Sequence, residues 1–313
     1  MKKIVYVTGC LGFMGNHVTR HCLQRGWYVI GVDKMTYAAN LNFLPEFENY
    51  KNFKFIHSDI NDLDRLLDCD YFINTAAETH VDNSIISSDV FLQSNVNGVY
   101  HILELMRQKA NYKMPIFLQF STDEVYGDIL NGSHTEDDLL KPSNPYSATK
   151  AAADMLILAW ARTFNLRYVI VRPTNNYGIG QYVEKLIPKS CKYLATNRLI
   201  DVHDHGRPVR TWLHAEDTAR AILAIIDAQV SNQIYNIAGN LELQNIEVIK
   251  KIIKLYNGDS DYEKYLHHMI RVGQDQRYSI DDSKLKKLGW QPQAEFDKEL
   301  VKIVQYYKEN FIW

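Results

Sequence analysis

Cysteine is scarce in this 313-residue chain. The four present, Cys10, Cys22, Cys69 and Cys191, are far apart. That spacing excludes a zinc cluster and a disulfide-stapled fold, so no metal is expected and the thiols read as reduced, as in an intracellular protein. Charge of one sign is also missing: 35 Lys and Arg stand against 37 Asp and Glu, a net charge of −2. This excludes a basic nucleic-acid surface and a polybasic membrane contact. No apolar run is long enough for a signal-peptide core or a membrane span; Met1-Lys2-Lys3-Ile4 leads into a short one only. A cytoplasmic protein with no targeting segment is expected. Repeats, low-complexity tracts and long linkers are absent.

What is present is a 46% apolar composition, enough for one large domain or two coupled ones. Short β-branched and aromatic runs at 3–7, 28–32, 53–57, 71–74, 116–120 and 168–171 read as strands. Helical patterns fill the gaps, notably at 13–25, 90–107 and 146–164. Buried strands alternating with helices predict a Rossmann-type, doubly wound parallel α/β sheet. Beyond Arg172-Pro173 the pattern loosens, with helices at 186–196 and 248–256 and strands at 200–203 and 234–238. The expected organisation is a nucleotide-binding domain over 1–178, rejoined by 211–240. A smaller α/β C-terminal part over 179–210 and 241–313 would bind the substrate. The segment from about 211 to 238, with its helix at 217–228, is read as a βα unit returning to the main sheet.

Gly9, Gly12 and Gly15 follow the first strand and open the first helix. They permit a tight turn and close approach of backbone N–H groups to a pyrophosphate. Asp33 ends the second strand, where a carboxylate accepts hydrogen bonds from both ribose hydroxyls and repels a 2′-phosphate. NAD is therefore favoured over NADP, although Lys34 next door weakens the preference. Asp59-Ile60 suits an adenine edge, and Ala76-Ala77 supplies small residues where a dinucleotide crosses. A simple loop cap is an equal reading for Asp59.

The heptapeptide Ser121-Thr122-Asp123-Glu124-Val125-Tyr126-Gly127 is followed by Tyr146-x-x-x-Lys150, on a helix opened by Asn144-Pro145. Tyr146 and Lys150 lie one turn apart on one face. A free Tyr, with a pKa of about 10, is a poor base; a nearby ammonium and a positive cofactor ring favour its phenolate. Thr122 can share the hydrogen bond to a substrate oxygen. Plain redox chemistry needs no adjacent carboxylates. Asp123 and Glu124 therefore suggest a second step, with proton removal at one carbon and leaving-group protonation at the next.

With these motifs the chain resembles the extended short-chain dehydrogenase/reductase family, and within it the nucleoside-diphosphate-glucose 4,6-dehydratases. The resemblance runs nearly end to end, through 33–41, 76–82, 121–127, 146–150, 172–178, 184–188, 209–217, 235–239 and 275–281. It implies NAD that stays bound and is regenerated each turnover. It also implies UDP- or dTDP-glucose as substrate and a 4-keto-6-deoxy sugar nucleotide as product, as in deoxysugar (rhamnose) biosynthesis. Tyr146 is implied as the base at the 4-hydroxyl, Glu124 at C5 and Asp123 as the acid at the 6-hydroxyl, with Thr122 and Lys150 assisting. The implied cofactor residues are Gly9, Gly12, Phe13, Met14, Gly15, Asp33, Lys34, Thr36, Asp59, Ile60, Ala76, Ala77, Thr79, Asn95, Tyr146 and Lys150. The implied substrate residues are His80, Thr122, Asn175, Lys185, Leu186, Val202, His203, Arg210, Asn236, Arg271 and Tyr278, with Arg210 as pyrophosphate clamp. Helices 90–107 and 146–164 are implied to pair in a homodimer. The chain departs from the family pattern at Asn83, Gln274 and 200–205, so uracil and thymine both stay open. A 4-epimerase, an N-acetylglucosamine 4,6-dehydratase and a non-catalytic NAD or sugar-nucleotide sensor are the alternatives.

Overall fold

A computed structural model describes residues 2–109 and 114–310; the outermost ends of the expected boundaries, 1 and 311–313, fall outside them. The central sheet is built of β1 (Ile4–Thr8), β2 (Tyr28–Asp33), β3 (Phe53–His57), β4 (Tyr71–Asn74), β5 (Ile116–Phe120), β6 (Tyr168–Pro173) and β10 (Gln233–Ile237). All seven pair in parallel, in the order β3-β2-β1-β4-β5-β6-β10. The reversal between β1 and β4 opens a crevice at the carboxyl ends of the strands, where ligands of such sheets bind. One face is packed around Val5, Val7, Val29 and Leu118, the other around Tyr6, Ile30, Phe72 and Phe117. Burial on both faces is why these strands read as unbroken apolar runs.

The helices on this sheet are α1 (Phe13–Gln24), α2 (Phe43–Glu48), α3 (Val81–Ile86), α4 (Asp89–Phe91), α5 (Gly98–Arg107) and α6 (Pro145–Phe164). The expected continuous helix over 90–107 is instead α4, a π-helical turn at Leu92–Asn97, and α5. Such a turn displaces side chains from their ordinary helical positions.

Past β6 the chain leaves the sheet. β7 (Asn175–Tyr177), β9 (Val209–His214) and β11 (Leu241–Gln244) form a three-stranded sheet, and β8 (Ile200–His203) pairs with β12 (Leu266–Met269). α7 (Leu186–Ala195), α9 (Asn245–Asn257) and α11 (Phe296–Glu309) cover these strands around Ile187, Trp212, Ile252 and Leu300. The return to the main sheet thus starts later than expected. β9 pairs with β7 and β11, and only α8 (Ala215–Asp227), packed on α1, and β10 rejoin the large sheet. A short α10 (Ser283–Lys286) lies beside β10. No helix among the described residues is long and apolar enough to cross a membrane.

One buried charge pair ties α6 to β6: Arg172 meets Asp154 at 3.0 Å, with side chains 2% and 0% exposed. The Ser121 hydroxyl donates to the same carboxylate oxygen at 3.0 Å. Removing one partner leaves the other charged and dry. Arg172→Met should therefore cost about 3–5 kcal/mol in urea unfolding, while Asp154→Leu combined with Arg172→Met should cost less than the sum of the single changes.

Candidate active site

Two clefts of about 1010 and 1090 Å³ meet along the carboxyl edge of the sheet and share Thr79, Glu184 and Lys185. The first runs over the glycine turn. Gly9 has φ +66, and a Cβ at Gly15 would lie 1.9 Å from the Gly9 carbonyl oxygen. Only glycine lets α1 begin so close to the end of β1. Asp33 accepts from the backbone N–H of Leu11 at 2.9 Å and of Met35 at 2.8 Å, so one carboxylate braces the turn and faces the cleft. Burial holds its pKa above the usual value. Phe13, Met14, Thr36, Ile60, Ala76 and Ala77 also line this cleft. The set fits a dinucleotide: a bare glycine cradle at a helix N-terminus, and an acidic side chain at the next strand end.

Several expected cofactor residues are engaged otherwise. Lys34 lies 3.1 Å from Asp59 and 3.3 Å from the Ser94 hydroxyl. A 2′-phosphate would have to compete with that ion pair. Asp59 is both cap and wall: it accepts from the Asn61 N–H at 2.9 Å and lines the cleft. Burial opposes its ionisation, but Asn61 and Lys34 outweigh it and hold the carboxyl below its usual range. Asn95 does not line the cleft. The π-helical turn directs it inward, where it bonds the backbone of Glu78 at 2.9 and 3.0 Å and the Thr149 hydroxyl at 3.0 Å.

The residues expected to react gather where β5 ends. Thr122 caps a 3-10 turn at Asp123–Tyr126, accepting from the Glu124 N–H at 3.3 Å. α6 starts alongside, held by a reciprocal Asn144–Ser147 capping box with Pro145 in its first turn. Asp123 is 3% exposed. One of its oxygens accepts from Thr122 at 3.2 Å, and the other has no partner among the described residues. Burial, and then the neighbouring Glu124, push its pKa up to about 7. Burial raises Glu124 too, against the opposing pull of Arg210, Asn144, Arg271 and Lys185. Asn144 donates to Glu124 at 3.3 Å. Burial and Glu124 push Tyr146 up despite a Thr122 hydrogen bond. The Lys150 ammonium donates to the Phe120 carbonyl at 2.5 Å. Burial lowers Lys150 to about 8, with Asp154 opposing.

The second cleft is lined by His80, Asn175, Lys185, Leu186, Val202, His203, Arg210, Arg271 and Tyr278, beside Glu124. Arg210 stacks on the Tyr278 ring at 4.3 Å and donates to the Asp275 carbonyl at 3.1 Å. Arg271 lies 2.6 Å from Asp82. Lys185 donates to the Thr79 carbonyl and hydroxyl at 2.9 and 3.1 Å. Asn236, expected at the diphosphate, is absent from this wall. It is fully buried and bonded to Tyr126, His134 and Asp281, because β10 lies at the far edge of the sheet. Conversely, Asn144 and Asp275 line the cleft although the sequence marks the first only as a cap and gives the second no role beyond its place in the 275–281 motif.

With this geometry the comparisons with known proteins are decisive. The family model described as GDP-mannose 4,6 dehydratase matches residues 6–303. The chain belongs to that family. Among its relatives is the low-salt glycan biosynthesis protein Agl12 of Haloferax volcanii, 39% identical over 97% of this chain and 98% of its own. The dTDP-glucose 4,6-dehydratase of Escherichia coli is 36% identical over 99% and 94%. Family likeness extends to solved structures: DesIV, a dTDP-glucose 4,6-dehydratase from Streptomyces venezuelae solved with NAD bound, superposes with a TM-score of 0.92 at 35% identity, covering 98% and 97%. A UDP-glucuronic acid 4-epimerase from Bacillus cereus reaches 0.90 at 22% identity and shares the fold alone.

Gly15→Ala should weaken NAD binding by at least about tenfold in calorimetric titration, since the overpacked cradle must open. Unchanged affinity would remove the glycine turn from the cofactor site.

Proposed function

We propose that this chain is an NAD-dependent nucleoside-diphosphate-glucose 4,6-dehydratase, a hydro-lyase acting on UDP- or dTDP-glucose. The observation that carries this reading is the adjacent pair Asp123 and Glu124 beside Tyr146, the first buried and the second half-buried at the cleft wall, with unequal surroundings. When bound, NAD supplies a hydride acceptor for C4 and a hydride for C6. Tyr146 takes the proton of the 4-hydroxyl, with Thr122 sharing the hydrogen bond. Lys150 keeps positive charge beneath the site. A ketone at C4 makes the C5 proton acidic, and Glu124 removes it. Asp123, neutral below pH about 7, gives its proton to the 6-hydroxyl as water departs. Glu124 then returns a proton to C5. Arg210, Arg271 and Lys185 face the sugar nucleotide's diphosphate, where guanidinium forks suit phosphate oxygens.

An epimerase has no use for two adjacent carboxylates of this kind, and neither has a passive sensor. Two further readings accompany the proposal. Ile86, Val90, Leu92, Tyr100 and Met155 are exposed on α3, α4, α5, α6 and the turn between them, and this supports a homodimer. The cysteines are free, three of them buried, which fits a reducing cytoplasm.

The alkaline limb of kcat belongs to Asp123. Its proton is present below pH about 7 and lost above, so kcat should fall as pH rises through that value. Asp123→Asn should remove this limb and lower kcat roughly a hundredfold. Glu124→Gln should still reduce bound nicotinamide on adding substrate but stall before water leaves, with no deuterium entering C5 from deuterated water. Normal turnover by that variant, or a 4-epimer formed without loss of water, would sink the proposal.

A further inference from the structure

Tyr278 has one hydroxyl proton and two carboxylates within reach. Asp275 accepts a short hydrogen bond from it. Glu124 lies at 3.5 Å from the same phenolic oxygen, at the limit of hydrogen bonding. The proton therefore sits toward Asp275. The Ser143 hydroxyl donates to that same Asp275 oxygen, so the carboxylate collects two hydroxyl donors. Asp275 is 7% exposed and Tyr278 4%. The ring cannot turn freely, because Arg210 stacks on it and is bonded in turn to the Asp275 carbonyl.

With its proton committed to Asp275, Tyr278 presents a lone pair to Glu124. A lone pair opposes the carboxylate and accepts from the carboxylic acid. We infer that Asp275 is a positioning residue which, through Tyr278, sets the proton affinity of Glu124; the inference rests on Glu124 being the base at C5. The other groups around Glu124 act as follows. Asp123 and Tyr146 stand on the catalytic elements and disfavour a second negative charge nearby. Arg210 on β9, Lys185 at the head of α7, Arg271, and the Asn144 amide all favour the carboxylate. Burial already raises Glu124 against these cations and Asn144, and the lone pair held toward it by the Asp275–Tyr278 pair acts in the same direction as burial. In the elimination, the C5 proton moves to a Glu124 oxygen and the C5–H electron pair forms the C5–C6 double bond. The C6–O bond breaks, and the Asp123 proton completes the departing water. Glu124, now neutral, donates to the Tyr278 oxygen, which holds the proton near C5 for its return.

The test uses the NAD-loaded full-length enzyme with UDP- and dTDP-glucose, comparing Asp275→Asn, Tyr278→Phe, their combination, and Glu124→Gln. An Asn amide keeps one accepting oxygen but loses the carboxylate's charge, so its hold on the Tyr278 proton weakens and the phenol is freer to turn that proton to Glu124. Asp275→Asn should then lower kcat roughly tenfold and move the acid limb of kcat to lower pH. It should also let reduced nicotinamide build up in a single turnover, with KM changed by less than about twofold. In the Tyr278→Phe background the same change should add nothing. The inference is overturned if Asp275→Asn leaves the acid limb in place, or if its effect is undiminished without the Tyr278 hydroxyl. The underlying reading fails separately, through normal turnover by Glu124→Gln.

Discussion

Asp154 and Arg172 form the junction on which the catalytic geometry hangs. The pair joins the middle of α6 to the end of β6, and Ser121, the residue before Thr122, donates to the same carboxylate oxygen. Asp154 lies one turn beyond Lys150 and opposes the desolvation that lowers the lysine's pKa. Arg172 donates to the Tyr126 hydroxyl at 2.7 Å, and Tyr126 donates to Asn236 at 2.9 Å. Asn236 in turn bonds the backbone at His134 and Asp281. A chain of hydrogen-bonded polar groups thus runs from α6 through the turn at Asp123–Tyr126 to the segment that carries Tyr278, with one Asp154 oxygen left without a partner among the described residues. A buried pair of this kind adds little net stability over an apolar core, because desolvation offsets the attraction. What it does here is hold three separate elements in one arrangement: the start of the 3-10 turn, the lysine of α6, and the far sheet edge.

That rigidity lets burial act unequally on neighbouring groups. Asp123 and Glu124 are adjacent, and burial raises both. Asp123 has Thr122 as its sole hydrogen-bonding side chain, and its other oxygen has no partner among the described residues. Glu124 faces the cleft, with Asn144 and three cations around it. The same dry environment therefore raises both carboxyls, Asp123 to about 7, while three cations oppose the rise at Glu124 and one cation, Arg210, opposes it at Asp123. Two groups with opposed tasks need that difference, and position along the chain alone does not provide it.

The parts of the site legible in the sequence are those set by a few consecutive residues. The glycine turn, the Thr122-Asp123-Glu124 triplet and Tyr146-x-x-x-Lys150 each depend on one turn of backbone, and the alternating strands depend on burial of both sheet faces. What was not legible depends on distant partners. Lys34 pairs with Asp59 across two strand ends, Asn95 is swung inward by a π-helical turn, and Asn236 is claimed by a network reaching Tyr126 and His134. The role of Asp275 carries no local signal, because it comes from Ser143 and Tyr278 converging on one oxygen. The stretch from about 211 to 238 reads as returning to the main sheet through its helix and following strand; α8 and β10 do, while the strands β7 and β11 draw β9, at its start, into the small sheet. α11 is a different failure: Phe296, Leu300, Ile303, Val304 and Tyr307 are buried at helical spacing, a periodicity present in the sequence and passed over.

The second cleft also divides its cations by readiness. Arg210 has no carboxylate within ion-pair distance among the described residues; backbone carbonyls and the Tyr278 ring hold it, and it lines the cleft. Arg271 is already matched to Asp82. A diphosphate would compete with Asp82 for it, linking α3 to the segment after β12 in a way that depends on the ligand. Next to Arg271, burial and then that guanidinium keep the His203 imidazole below its usual pKa, and its Nδ1 has no partner among the described residues. A neutral ring with an unengaged nitrogen suits an uncharged nucleobase better than a phosphate. The cations that would meet a diphosphate also bear on the acid-base turn: Arg210, Arg271 and Lys185 all favour the Glu124 carboxylate, and Arg210 stacks on the Tyr278 ring whose hydroxyl reaches it. A ligand that shifted these cations would therefore also shift the proton affinity of Glu124.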